Sequence, residues 1–173
     1  QHNLNCELLN EVITAGEQLK ITTKLRQFFT RYPDCRLINH YGPTETHVVS
    51  SHTLTGSAST WERYPPIGQS IDNIRIMIAE PQGAEVPPET IGELWIGGRF
   101  LSDGYVRRNN LTQPSFVHHA AYGKMYKTGD LASMDKDGMI RFKGRRDQQV
   151  KVRGFRVEIG EIEHHLMAID GIQ

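Results

Sequence analysis

The chain has 173 residues, 38% of them hydrophobic, which is enough apolar material for a packed core. Its longest apolar runs are only a handful of residues, far short of the ~20 needed to cross a bilayer, so no membrane span is expected. The 20 basic and 20 acidic residues cancel to a formal net charge of zero, which argues against a general nucleic-acid or membrane-surface binder.

Smaller features narrow the class further. No charged start followed by an apolar stretch marks a secretory leader. Two cysteines, Cys6 and Cys35, are too few for a disulfide framework, and reduced thiols suit a cytoplasmic protein. The adjacent pairs His118-His119 and His164-His165 point apart on a strand or helix, and no Cys or acidic partner sits at ligand spacing. These read as structural or surface histidines rather than a metal site.

In chain order, Glu11 to Thr14 reads as a short buried strand ended by Ala15-Gly16. Leu25, Phe28, Phe29 and Tyr32 recur at helical spacing between about Thr22 and Tyr32, and Pro33-Asp34 stops that helix. Arg36 to Asn39 makes a second short strand. This strand–helix–strand order predicts a βαβ unit in a parallel sheet, where ligands collect at the carboxyl ends of strands. Gly56 to Thr60 is a loop.

After Pro65-Pro66 the pattern changes. Ile74, Ile76 and Ile78 alternate in a strand up to Ala79, Pro81-Gln82-Gly83 turns the chain, and Glu93 to Ile96 forms a strand closed by Gly97-Gly98. Asp137-Gly138 is a hairpin turn between Leu131-Ala132-Ser133 and Met139 to Lys143. Short strands with Gly and Pro punctuation predict a β-rich, barrel-like unit. Glu161, Ile162, His165, Leu166 and Ile169 give a final helix starting just after Gly160. From Arg141 to Arg156 there are seven basic residues and one acid, Asp147. That run is either the solvated face of a hairpin or a phosphate-binding edge.

Three segments carry the chemistry. Asn39-His40-Tyr41-Gly42-Pro43-Thr44-Glu45 offers an amide, an aromatic face, a rigid turn, a hydroxyl and a hard oxygen ligand. Tyr126-Lys127-Thr128-Gly129-Asp130-Leu131 offers a carboxylate able to accept from two hydroxyls at once. Gly144-Arg145-Arg146-Asp147, followed by Gln149 to Gly154 and Glu158 to Glu163, offers a guanidinium fork within the basic run. Arg146 reads as solvent-facing.

Together and in this order, the segments resemble the amino-acid adenylation domains of nonribosomal peptide synthetases, within the adenylate-forming family that includes acyl-CoA ligases and luciferases. The resemblance implies an α/β plus β fold. Residues 1–64 would end a flavodoxin-like αβ subdomain, residues 65–146 would form a distorted β-barrel subdomain, and residues 147–173 would hold a hinge and the start of a small C-terminal subdomain. It implies ATP and Mg²⁺ as cofactors, and an amino acid activated to its adenylate with release of pyrophosphate. The partners implied are a peptidyl carrier domain bearing phosphopantetheine and neighbouring synthetase domains.

By the same resemblance, Asn39 and Tyr41 hold adenine, Thr44 a phosphate, Glu45 the Mg²⁺, and Asp130 the ribose. Arg145 reaches ribose or phosphate oxygens, and Thr44, Glu45 and Arg145 form the catalytic set. Phe142 is either an aromatic beside the nucleotide or a core residue. Asp147 is the hinge, and Lys151, Arg153 and Gly154 lie on the loop facing the site during thioester formation. Ile13, Ala15, His40, Val48 and Val49 line part of the amino-acid pocket or are ordinary core.

Residues 149–160 are similar to the amino-acid-activating branch rather than acyl-CoA ligases, with Ile159-Gly160 where a proline is usual. Ala15-Gly16-Glu17 and Leu101-Ser102-Asp103-Gly104-Tyr105 depart from the commoner family wording and are expected to affect packing rather than chemistry. The family's phosphate loop, amine-binding aspartate and late lysine have no counterpart here, so residues 1–173 alone are expected not to adenylate and to expose an apolar sheet edge. A noncatalytic remnant that binds nucleotide or a partner domain is the alternative.

Overall fold

The computed structural model describes residues 6–147, 149–152, 155–167 and 169. The first unit opens with strand β1 (Glu11–Thr14) and helix α1 (Thr23–Arg31), then β2 (Arg36–Tyr41). Helix α1 starts where predicted because Thr22 caps it, its Oγ1 accepting from the Leu25 amide at 3.3 Å. It ends at Tyr32, whose N–H still bonds the Phe28 carbonyl, just before Pro33. Phe29 drops from this helix into a core of Leu19, Ile21, Cys35, Leu37, Leu54 and Ala58.

β1 and β2 are parallel, with Val12 opposite Leu37, as the βαβ reading requires. The sheet does not continue parallel. β3 (Ser50–Leu54) pairs antiparallel with β2, and the short β4 (Gln69–Ser70) pairs antiparallel with β3. Only a short loop joins β2 to β3, too little chain for a crossover, so the second pairing is a hairpin. β1 is also not buried as expected. It is the sheet edge, and Glu11 and Ile13 are exposed.

The second sheet contains β5 (Ile74–Ala79), β6 (Gly92–Gly98), β7 (Phe116–His119), β8 (Gly123–Met134) and β9 (Ile140–Arg145). Between β6 and β7 lies α2 (Asn109–Ser115), a short helix with Pro114 inside. Its sequence has no apolar period to reveal it. The strand order is β5-β6-β8-β7, and β9 pairs the far half of β8. The expected barrel does not close among the described residues. β8 is 12 residues long and gives one edge first to β7 and then to β9, so the sheet ends open at β5. The chain ends with a separate hairpin, β10 (Gln149–Val152) against β11 (Phe155–Glu158), and helix α3 (Ile159–Met167), which begins two residues before the predicted start. No helix among the described residues is long and apolar enough to cross a membrane.

The two large sheets share one core. Tyr41, Val49 and Ile67 pack with Ile76, Ile78, Leu94, Ile96, Tyr126 and Ile140. Gly68 makes the join possible. Its φ is +93°, and a Cβ there would lie 1.9 Å from the Ser51 carbonyl oxygen. The Ile140 amide donates to the Gly68 carbonyl at 2.8 Å, and the Ile67 amide donates back to Ile140 at 2.9 Å.

A polar tie reinforces the join. Arg141 on β9 donates to both Glu62 carboxylate oxygens, at 2.7 and 3.0 Å, beside half-buried His52 on β3. Burial first, and then the Arg141 charge, holds the His52 imidazole below its ordinary value of 6.5. The folded state therefore favours neutral His52, and its contribution to stability is present above pH about 6.5 and lost as pH falls below it. Urea unfolding at stepped pH values should show that loss in the wild type. His52→Gln should flatten that part of the profile, and an unaltered profile would refute the assignment.

Candidate functional site

Where β2 ends against β8 and β9, a cavity of about 760 Å³ opens. Asn39, His40, Tyr41, Asp130, Phe142 and Arg145 line it, so three distant segments of sequence converge on one space. Asp130 is its centre. It is 4% exposed, and the Tyr41 hydroxyl donates to its Oδ2 at 2.5 Å while Arg145 Nη1 donates to Oδ1 at 2.6 Å. A bulge in the β8–β9 pairing between Leu131 and Ala132 re-aims the strand beside Asp130.

The charges are mutually fixed. Burial raises the Tyr41 hydroxyl well above its usual range of about 10, and the negative charge of Asp130 raises it further, so Tyr41 stays a donor. Burial opposes the Arg145 charge, but the hydrogen bonds Arg145 donates to Asp147 and the charges of Asp130 and Asp147 outweigh it and raise its pKa. The same guanidinium donates through Nε and Nη2 to the two oxygens of Asp147, both at 2.6 Å. The Gln149 amide donates to Asp147 Oδ1 at 3.2 Å. The residue expected as a hinge is therefore tied through Arg145 to the cavity carboxylate.

The other expected residues fall in three places. Asn39 is buried, and its Nδ2 donates to the Pro66 carbonyl at 2.8 Å. Phe142 both lines the cavity and packs on the shared core, so the two readings of it are compatible. Thr44 is exposed, Glu45 is buried, and neither lines the cavity, although Gly42 does. Of the expected pocket residues only His40 reaches the cavity. Ile13 and Ala15 are exposed, Val48 is half-buried, and Val49 is fully buried in the shared core. Lys151 lies on β10, while Arg153 and Gly154 are outside the described residues.

Two contributors escaped the sequence reading. Glu93 is 4% exposed and accepts from the Gly129 amide at 3.0 Å and from Arg146 Nη1 at 3.1 Å. Arg146 is exposed, as the sequence reading expected, and it also pairs with the buried Glu93 carboxylate, which needs a cation. Gly129 sits between both pairs at φ +73°. No local pattern pairs residues 53 positions apart; only an acid inside the apolar strand Glu93 to Ile96 hinted at it.

The arrangement can hold a nucleotide. It provides an aromatic wall, a deep carboxylate acceptor and a guanidinium fork. For a divalent cation, the described residues gather no group of three or more His, Cys, Asp or Glu. A cation held by the Glu45 carboxylate together with phosphate oxygens is nonetheless the usual arrangement for Mg²⁺, so the donor chemistry fits.

At Gly129 a Cβ would lie 2.7 Å from Arg145 Nη2 and 3.1 Å from Asp147 Oδ2, whereas at Gly138, also at positive φ, it would meet nothing within 4 Å. Gly129→Ala should therefore destabilise by more than Gly138→Ala, which carries only the left-handed strain of about 1–2 kcal/mol. The excess should vanish in an Arg145→Ala background, as read by denaturant unfolding. Equal losses at the two glycines would contradict the clamp.

The chain is similar to several known proteins. The chain is 40% identical over 167 residues to gramicidin S synthase 2 of Brevibacillus brevis, a match spanning 95% of this chain and 4% of that protein. It is 43% identical over 162 residues to tyrocidine synthase 2 of Brevibacillus parabrevis, spanning 92% of this chain and again 4% of the relative. Among solved structures it superposes on PA1221, described as an NRPS protein containing adenylation and PCP domains, with a TM-score of 0.84 and 32% identity. That superposition covers 94% of this chain and 34% of PA1221. It superposes on IdnL1 with a TM-score of 0.86 and 27% identity, covering 94% of this chain and 34% of that one. The AMP-binding enzyme family model matches residues 3–106, more than half the sequence and the whole first motif, and the chain belongs to that family.

Proposed function

We propose that this chain is part of an amino-acid adenylation domain of a nonribosomal peptide synthetase. The reaction is attack by the amino-acid carboxylate on the α-phosphorus of ATP, with cleavage of the bond to pyrophosphate. The aminoacyl group of the adenylate then passes to the phosphopantetheine thiol of a peptidyl carrier domain, beside neighbouring synthetase domains. The observation that carries the reading is Asp130, a carboxylate acceptor buried at the cavity wall between the Tyr41 hydroxyl and the Arg145 fork. A carboxylate has about four acceptor sites and can take ribose hydroxyls in addition to these donors. Support comes from the adenylation and PCP domains of PA1221 and from the kinship to two peptide synthases.

In this reading Tyr41 and Phe142 flank adenine, Asn39 lines its edge, and Thr44 bonds phosphate. Arg145 offsets charge on phosphate or fixes ribose, which is electrostatic preorganisation. Glu45 would hold the Mg²⁺, which when bound neutralises phosphate charge. His40 contributes to the amino-acid side of the cavity, with Ile13, Ala15, Val48 and Val49 shaping the strands behind it. Residues to about 64 belong to an αβ subdomain, 65–146 to a β-rich one, and 147 onward to a small one that rotates about Asp147. Lys151, Arg153 and Gly154 then serve thioester formation.

Asp130→Ala should weaken ATP binding by about one to two decades, from loss of charge-assisted bonds worth roughly 1.5–3 kcal/mol. Calorimetric titration of the full-length protein measures it, alongside amino-acid-dependent pyrophosphate exchange. A folded variant with wild-type ATP affinity would remove the ribose role.

The hinge reading has its own test. Asp147→Ala breaks the Arg145 clamp, whereas Asp147→Pro also fixes φ near −65°. Compared with Asp147→Ala, the proline variant should retain adenylate formation and lose carrier loading. Indistinguishable variants would count against rotation at residue 147.

A further inference from the structure

The segment from Leu101 to Tyr105 meets Glu45 twice. The Ser102 amide donates to the Glu45 carbonyl at 2.8 Å. The Tyr105 hydroxyl donates to Glu45 Oε1 at 2.6 Å, across 60 residues of sequence. That length lies within the ordinary range of an O–H···O hydrogen bond.

Tyr105 is itself held on several sides. Its amide donates to Thr112 Oγ1 at 2.9 Å, in the middle of α2. Its ring stands edge-on to Phe116, with centroids 5.8 Å apart and planes at 69°. Gly104, at φ +140°, lets the chain pass Thr112, whose Cγ2 would lie 2.3 Å from a Cβ. The hydroxyl is therefore delivered to Glu45 by a fixed framework of helix, strand and turn.

Glu45 is only 6% exposed. A carboxylate at that depth needs its orientation set by hydrogen bonds. A phenol donor carries no charge of its own, unlike the guanidinium donors on Asp130 and Glu93. We propose that Tyr105 is a positioning residue for Glu45, orienting its carboxylate toward the divalent cation that accompanies the nucleotide. The inference rests on the reading of Glu45 as the cation ligand. Outer partners of metal ligands commonly control affinity in this way.

The test uses Mn²⁺ as a spectroscopically visible substitute for Mg²⁺. Electron paramagnetic resonance titration measures its binding to the full-length protein with a non-hydrolysable ATP analogue. Wild type, Tyr105→Phe and Glu45→Gln are compared, and affinity for the analogue without metal is measured for each. Tyr105→Phe keeps the ring against Phe116 and removes only the donor. It should weaken Mn²⁺ binding roughly ten-fold or more, with metal-free analogue affinity unchanged, and Glu45→Gln should weaken it at least as much. Wild-type Mn²⁺ affinity in Tyr105→Phe, with loss in Glu45→Gln, overturns the Tyr105 role alone. Wild-type affinity in Glu45→Gln overturns the Glu45 reading and this inference with it. Equal loss with and without metal in Tyr105→Phe marks general damage to the site and also overturns positioning.

Discussion

The guanidinium of Arg145 is shared between Asp130 and Asp147, and the site is built around that sharing. A charge taken out of water is costly unless it is paired and hydrogen-bonded. Asp130 lies too deep to be left to solvent, and Arg145 supplies its cation. The fork also reaches Asp147 through Nε and Nη2. Gly129 has no side chain because one would collide with this fork, and the β8–β9 register sets Asp130 directly opposite Arg145. Asp147 is therefore linked to the cavity carboxylate through Arg145.

Tyr41 extends the same constraint into the core. Its ring belongs to the apolar cluster joining the two sheets, and its hydroxyl ends on Asp130. Packing and chemistry thus meet in one residue. The cluster fixes where the phenol can be, and the phenol fixes one carboxylate oxygen. The Gly68–Ile140 bridge brings β9 against the first sheet and supports this geometry from behind. By contrast, the Arg141–Glu62 pair lies largely in water, where such pairs contribute about 0–1 kcal/mol. It ties the sheets together without controlling the cavity.

The outer loop from Leu101 to α2 looks peripheral in sequence, but it reaches Glu45 through both backbone and side chain. Two acids thereby receive different treatment. Asp130 is held by a cation and a phenol, while Glu45 takes a phenol donor from another part of the chain. The first arrangement suits a permanent acceptor. The second adds no positive charge of its own, which suits the proposed role of Glu45 toward a cation.

Sequence alone determined the local elements and the chemical inventory. The apolar spacing of Leu25, Phe28, Phe29 and Tyr32 specified α1, and the Ile74, Ile76, Ile78 alternation specified β5, because periodicity acts over a few residues. The three motifs named Asn39, Tyr41, Asp130 and Arg145, and they converge on one cavity. Tertiary structure decided the rest. It made β1 an exposed edge and left the β-rich sheet open, since pairing depends on strands far apart in sequence. It put Val49 into the core and drew Arg146 to Glu93. It brought Tyr105 to Glu45, a contact with no local signature, because a hydrogen bond between residues 60 positions apart exists only once the sheets and α2 have fixed both ends.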